Sequence, residues 1–187
     1  MKQVLRHDQL VKYLSACEFA KVSHKEQKRK YTGEPYFNHV LEVSDLVIEV
    51  TEDVNMWCAA VLHDTVEDCG VSLAQISALF GADVADLVEW LTDISKPEYG
   101  NRAVRKAMDL RHLAGASPRA KTIKLADLIS NSRTIVQHDL EFAKVYIKEK
   151  RALLEVLQEG DVDLYARATA LLLEAEKSIH ERSQDKR

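Results

Sequence analysis

The sequence predicts an all-α fold, a bundle of about eight to ten helices, and three observations carry that expectation. Apolar residues recur at helical spacing along nearly the whole chain. Helix-breaking residues are scarce, with three prolines and six glycines among 187 residues. No stretch shows the apolar–polar alternation of β-branched residues that marks a half-buried strand. A chain of this length supplies one good core but not two comfortable ones, so a single domain spanning 1–187 is expected.

The elements follow in order. Leu10, Val11, Leu14, Cys17 and Phe19 to Val22 make a first amphipathic run, followed by a basic loop from Lys25 to Lys30. Gly33 and Pro35 mark a turn, after which His39 opens the run Val40, Leu41, Val43, Leu46, Val47 and Val50, a helix near 37–50. A helix over 54–68 has Trp57-Cys58-Ala59-Ala60-Val61-Leu62 as its buried stretch and Gly70 just past its end. Ser72 is the expected N-cap of a helix over 72–79, and another covers 82–93 after Gly81. Ser95 to Asn101 reads as a loop, and Arg102 to Leu113 as a helix charged on one side. Ser117-Pro118 puts serine at an N-cap and proline in the first turn of the helix that carries Asp127. The last two helices, near 140–158 and 161–182, have heptad-like leucines with alternating charges, read as packing and solvated faces.

Composition excludes several function classes. A net charge of −4 gives no general attraction to nucleic acid or to a membrane, so any phosphate-binding cation must act locally. No stretch approaches the roughly eighteen consecutive apolar residues of a membrane span, and the first residues lack the apolar core of a signal peptide. Cys17, Cys58 and Cys69 are odd in number, far apart and without a CxxC pair. That argues against a disulfide framework and for a reducing, cytoplasmic setting. Cys58 reads as core packing.

The chemistry concentrates in His63-Asp64-Thr65-Val66-Glu67-Asp68. On a continuous helix His63 and Glu67 form one i,i+4 pair and Asp64 and Asp68 another, so the four groups share adjacent rows. Three carboxylates near a helix C-terminus face the negative end of the macrodipole and repel one another, a conflict that a cation resolves. Two other segments offer further ligands. His39 sits near a helix start, and Asp127 and Asn131 are polar positions on one row of an otherwise apolar helix. Alone, His39 could be a hydrogen-bonded cap histidine, and Asp127 could pair with Lys124 or Arg133. Together with His63 and Asp64 they form a set of two histidines and two aspartates, a shell suited to manganese, iron, zinc or a similar ion. Cys69 is rejected as a ligand, because a thiolate beside Glu67 and Asp68 is electrostatically disfavoured.

The order GEPYFNH, LHDTVED, KLADLISNSRT resembles the hydrolase domain of the RelA/SpoT alarmone enzymes, most closely the stand-alone small alarmone hydrolases of the metazoan Mesh1 type. The resemblance runs from about Phe19 to about Leu173 and implies an HD-domain helical bundle. It also implies one manganese ion held by His39, His63, Asp64 and Asp127, with Glu67 and Asp68 positioning and activating the attacking water. Asn131 would lie against a ribose, and Arg29, Lys30 and Tyr146 would contact the substrate. Arg133 is placed between neutralising phosphate and a structural salt bridge to Asp127 or Glu141. The implied substrate is a guanosine with a 3′-pyrophosphate, cleaved at the ribose 3′-oxygen to give GDP or GTP plus pyrophosphate.

Such an ion lowers the pKa of a water, while Glu67 or Asp68 takes its proton and later delivers one to the leaving group. Spacing leaves open which carboxylate is the base. Two alternatives stand beside this reading: an HD phosphohydrolase for another nucleotide, such as an adenosine 3′-pyrophosphate, and a non-catalytic nucleotide sensor. The presence of every ligand and both carboxylates disfavours the sensor. The long members of the family carry a synthetase domain after the hydrolase. Here no GxxxxGK[ST] loop occurs, and Val162, Leu164, Ala168, Leu171, Leu172 and Ala175 repeat at helical spacing to the end. Hydrolysis without synthesis is therefore expected, with a small-molecule nucleotide as partner and neither nucleic acid nor membrane.

Overall fold

The computed structural model describes residues 6–138 and 140–184, with the side chains of 133–138, 140, 141, 183 and 184 outside the description. The described residues form ten α-helices and one 3-10 turn, with no strand and a single isolated bridge between Lys28 and Pro35. The architecture is all-α as the periodicity predicts. The chain divides into two compact units, Met1–Asp93 and Ile94–Arg187.

The first unit holds α1 (His7–Ser23), α2 (Phe37–Val50), α3 (Val54–Leu62), α4 (Thr65–Cys69), α5 (Leu73–Phe80) and α6 (Ala82–Leu91). At its centre is α3, which packs against α1, α2 and α6. Every residue of α3 except Asn55 is buried, as expected for a helix that is apolar all round and has no face to offer solvent. Asp53 caps it, its Oδ1 accepting from the Asn55 amide at 2.9 Å. Asn55 accepts from Lys12 Nζ at 2.6 Å and donates to Asp83 Oδ2 at 2.7 Å, which ties α1, α3 and α6 together. Ser72 caps α5 in a capping box with Gln75, at the predicted position.

One expectation is corrected. The predicted helix over 54–68 is two helices, α3 and α4, separated by a turn at His63–Asp64. Side chains compete there with the backbone for carbonyls. His63 Nδ1 lies 2.8 Å from the Ala60 carbonyl, and Thr65 Oγ1 donates to the Leu62 carbonyl at 2.7 Å. The helix resumes with the Asp68 amide on the Asp64 carbonyl at 2.9 Å and ends at Gly70, whose φ of 70° costs a residue without Cβ nothing. Glu67 and Asp68 thus stand in the first turn of a one-turn helix. The macrodipole argument for a cation falls with the continuous helix, and the case for one passes to the local geometry.

The second unit contains the 3-10 turn Pro97–Tyr99, α7 (Arg102–Ala114), α8 (Pro118–His138), α9 (Leu140–Val156) and α10 (Val162–Gln184). Here α8, α9 and α10 pack against one another, with Ile123, Leu125, Ala126, Leu128 and Ile129 of α8 buried. Ser117 Oγ accepts from the Ala120 amide at 3.3 Å, the predicted cap. Arg102 joins α7 to α9 by a bidentate pair with Glu149 at 2.7 and 2.8 Å. Among the described residues no helix is long and apolar enough to cross a membrane.

Candidate metal and catalytic site

His39 is the third residue of α2 and lies on the row that carries Val43, Leu46 and Val47 into the core. His63 closes α3. Both imidazoles are about fully buried, at 1% exposure each, a placement that costs free energy unless their polar atoms are engaged. The two rings meet edge to face with centroids 5.5 Å apart. Their Nε2 atoms converge on one carboxylate oxygen, Asp64 Oδ2, at 3.0 Å from His63 and 3.7 Å from His39. Tyr36, the residue before α2, donates its hydroxyl to the same oxygen at 2.7 Å.

The tautomer of His63 follows from its neighbours. A backbone carbonyl only accepts, so the Nδ1 facing Ala60 O carries a proton, which leaves Nε2 as the ring atom that faces Asp64. A neutral Nε2 and a carboxylate oxygen this close are both donor atoms that a divalent cation could share. One donor atom from each of His39, His63 and Asp64 lies within 4.8 Å of the others. Ligands bound at about 2.0–2.2 Å with angles near 90–110° are separated by about 3.0–3.5 Å, so this spacing fits a divalent ion. Two imidazoles and a carboxylate suit a borderline transition metal.

The neighbouring carboxylates diverge. Glu67 Oε2 accepts from the Asp93 amide at 3.3 Å, whereas Asp68 Oδ2 accepts from Gln27 Nε2 at 2.8 Å. Both side chains are exposed, one turn beyond the ligand cluster. Cys69 lies beside them with Sγ 3.2 Å from His24 Nδ1. Burial, and then the charges of Asp68 and Asp64, push its thiol up to about 11. Arg29 and Lys30 sit on the tight turn before α2, where the Arg29 amide donates to Glu34 O at 2.8 Å and Gly33, at φ 73°, returns its amide to Arg29 O at 3.0 Å. Lys30 Nζ lies 5.0 Å over the Tyr31 ring.

The other predicted residues belong to the second unit. Asp127, 5% exposed, accepts from Asn131 Nδ2 at 2.6 Å through Oδ1 and pairs through Oδ2 with Lys124 Nζ at 2.8 Å. Tyr146 is buried on α9 with its hydroxyl 3.3 Å from Ser132 Oγ, and Lys150 Nζ lies 5.1 Å over its ring. The side chain of Arg133, with Glu141 as its candidate partner, lies outside the described residues. Three residues of the site are not among those the sequence singles out: Tyr36, Gln27 and His24. Tyr36 stands inside the GEPYFNH segment, two positions from an asparagine and three from a ligand, so its place near the cluster is legible there. Gln27 lies in the basic loop and His24 caps the helix just before it, where the neighbouring charges mask them.

Residues 16–155 match the HD domain family. A guanosine-3′,5′-bis(diphosphate) 3′-pyrophosphohydrolase of Aquifex aeolicus is 40% identical over 134 residues, 72% of this chain and 19% of that protein. The Drosophila melanogaster protein of the same name, MESH1, is 39% identical over 127 residues, 66% of this chain and 69% of that one. The chain thus spans about a fifth of the first relative's length and about two thirds of the second's. A solved structure of a metazoan ortholog of SpoT that hydrolyzes ppGpp superposes with a TM-score of 0.79 at 29% identity, covering 92% of this chain and 97% of that one. With the His-Asp pair of the LHDTVED segment at the heart of the cluster and the match running over three quarters of its length, this chain belongs to the HD domain family.

Proposed function

We propose that this chain is a metal-dependent (p)ppGpp 3′-pyrophosphohydrolase, cleaving the alarmone to pyrophosphate and GDP or GTP. The convergence of His39, His63 and Asp64 on one point, with Asp68 and Glu67 a turn away, carries the reading. The likeness to proteins named for that activity supports its substrate. His39, His63 and Asp64 are proposed to hold one ion, manganese, with Asp127 as the fourth ligand. The family match from 16 to 155 runs through both units, which supports reading 1–187 as one hydrolase domain. A bound divalent ion would supply Lewis-acid polarisation. The rest falls to the protein. Tyr36 orients Asp64, and Glu67 and Asp68 accept the proton of the attacking water and return one to the ribose 3′-oxygen as it leaves. Arg29, Lys30 and Arg133 are proposed to neutralise phosphate charge. Asn131 and Tyr146 are proposed nucleotide contacts, and their bonds to Asp127 and Ser132 support their being pre-oriented. Three unpaired cysteines support a cytoplasmic setting.

A panel of ppGpp, pppGpp and their adenine counterparts, incubated with manganese and read for released pyrophosphate, tests the proposal. Turnover of the guanosine compounds is expected. Release from the adenine compounds alone would move the substrate, and nucleotide binding without release of pyrophosphate would make the protein a sensor.

A further inference from the structure

Asp68 is an exposed side chain on a one-turn helix, and a carboxylate in that setting samples several rotamers unless something outside the helix holds it. Gln27 does so, its Nε2 donating to Asp68 Oδ2 at 2.8 Å across 41 residues of sequence. The amide that makes this contact is itself fixed from three sides. Its backbone N–H donates to His24 O, and its carbonyl accepts from the Tyr36 amide, both at 2.9 Å. Its side-chain oxygen Oε1 lies 2.6 Å from Nδ1 of His24.

That last contact decides which end of the amide faces the carboxylate. Asp68 only accepts, so Gln27 must present its NH2, and its oxygen then faces an imidazole N–H. His24 is 1% exposed, caps α1 through its amide on the Ala20 carbonyl at 2.9 Å, and lies against the Tyr36 ring with centroids 5.1 Å apart. It has little freedom to release the amide. One short segment, 24–36, therefore reaches the site twice: through Tyr36 to Asp64 and through Gln27 to Asp68. A neutral amide also suits the task, since it orients a carboxylate without the opposite charge that would weaken it as a proton acceptor.

We propose that Gln27 is a positioning residue for the hydrolytic reaction: oriented by His24, its side-chain amide fixes Asp68 through Oδ2 and leaves Oδ1 to take the proton. This rests on the hydrolase reading and on the proton-transfer role of Asp68. The test is a double-mutant cycle with Gln27→Met, which keeps the volume and the backbone turn but lacks the donor, and Asp68→Asn, each assayed for manganese binding and for ppGpp turnover. Gln27→Met is expected to lower kcat about tenfold with KM and manganese affinity within twofold of the parent, while Gln27→Glu, which repels Asp68, falls further. In the Asp68→Asn background the same change should cost less than twofold, because the group it orients no longer accepts a proton. Full activity of Gln27→Met, or the same tenfold loss in both backgrounds, overturns the positioning role while leaving the hydrolase reading intact. Normal kcat in Asp68→Asn alone overturns the role of Asp68 and the inference with it.

Discussion

At His63–Asp64 a buried helix gives way, and at Asp127–Asn131 one runs on. In the first region, side-chain donors occupy the Ala60 and Leu62 carbonyls, and the carboxylate of Asp64 meets two imidazole nitrogens and a phenol. In the second, α8 stays regular and both oxygens of Asp127 are met from within the helix, by Asn131 one turn later and Lys124 one turn earlier. The difference lies in the kind of neighbour. An ammonium and an amide compensate a carboxylate outright, and a buried carboxylate with such partners is a settled local arrangement. In the first region the partners are two imidazole nitrogens and a phenol, a donor set that a divalent cation would complete.

The largest effects should come from breaking the first region and testing whether the second joins it. Asp64→Ala and His63→Ala are each expected to abolish bound manganese and turnover together while the far-ultraviolet circular dichroism stays that of a helical protein. Stoichiometric manganese in both variants would show that the ligands are wrongly assigned. Asp127→Asn keeps the shape and the bond to Asn131 but removes the charge. With Asp127 as fourth ligand, manganese affinity measured by calorimetry should fall at least tenfold. Unchanged affinity with a lower melting temperature would make Asp127 a structural partner of Lys124 and Asn131 and not a ligand.

A second, smaller effect separates holding the ion from moving the proton. Glu67 accepts from the Asp93 amide and Asp68 from Gln27, each one turn beyond the imidazole cluster. The double variant Glu67→Gln, Asp68→Asn should therefore bind manganese and nucleotide as before and turn over roughly two to four orders of magnitude more slowly, the usual worth of a positioned general base. Turnover of ppGpp at the parent rate would remove both residues from the mechanism.

Much of this was legible in the sequence, and the physical reason is the strength of each signal. Helix placement follows from periodicity and caps, so Ser72, Ser117 and the runs of α2, α6 and α7 stand where they were expected. His39, His63 and Asp64 were legible because polar residues interrupt or end otherwise apolar stretches, the two histidines buried and Asp64 half-buried. The break between α3 and α4 was not, since no glycine or proline marks it and both His63 and Asp64 keep right-handed helical backbone angles. What breaks the helix is competition by side chains, visible only once His63 Nδ1 and Thr65 Oγ1 are seen on their carbonyls. Gln27 and His24 were missed for a related reason: their partner Asp68 is 41 residues from Gln27, and a polar residue in a charged loop carries no periodic signal.

The smallest effect probes that break directly. Thr65 is fully buried, and its hydroxyl is the donor that takes the Leu62 carbonyl at 2.7 Å. Thr65→Val keeps the branching and the volume but leaves the carbonyl short of that donor, a loss of about 1–2 kcal/mol in stability for a buried hydrogen bond. If the turn is what swings Asp64 onto the two imidazoles, the variant should also relax toward a continuous helix and weaken manganese binding a few-fold. Thermal melts with and without manganese separate the two consequences, because an ion that binds only the folded protein raises its melting temperature by an amount that grows with the logarithm of its affinity. A lower melting temperature with an undiminished manganese shift would mean that the ligands themselves impose the turn. The contrast between the broken helix and the unbroken one would then originate in His63 and Asp64 rather than in Thr65.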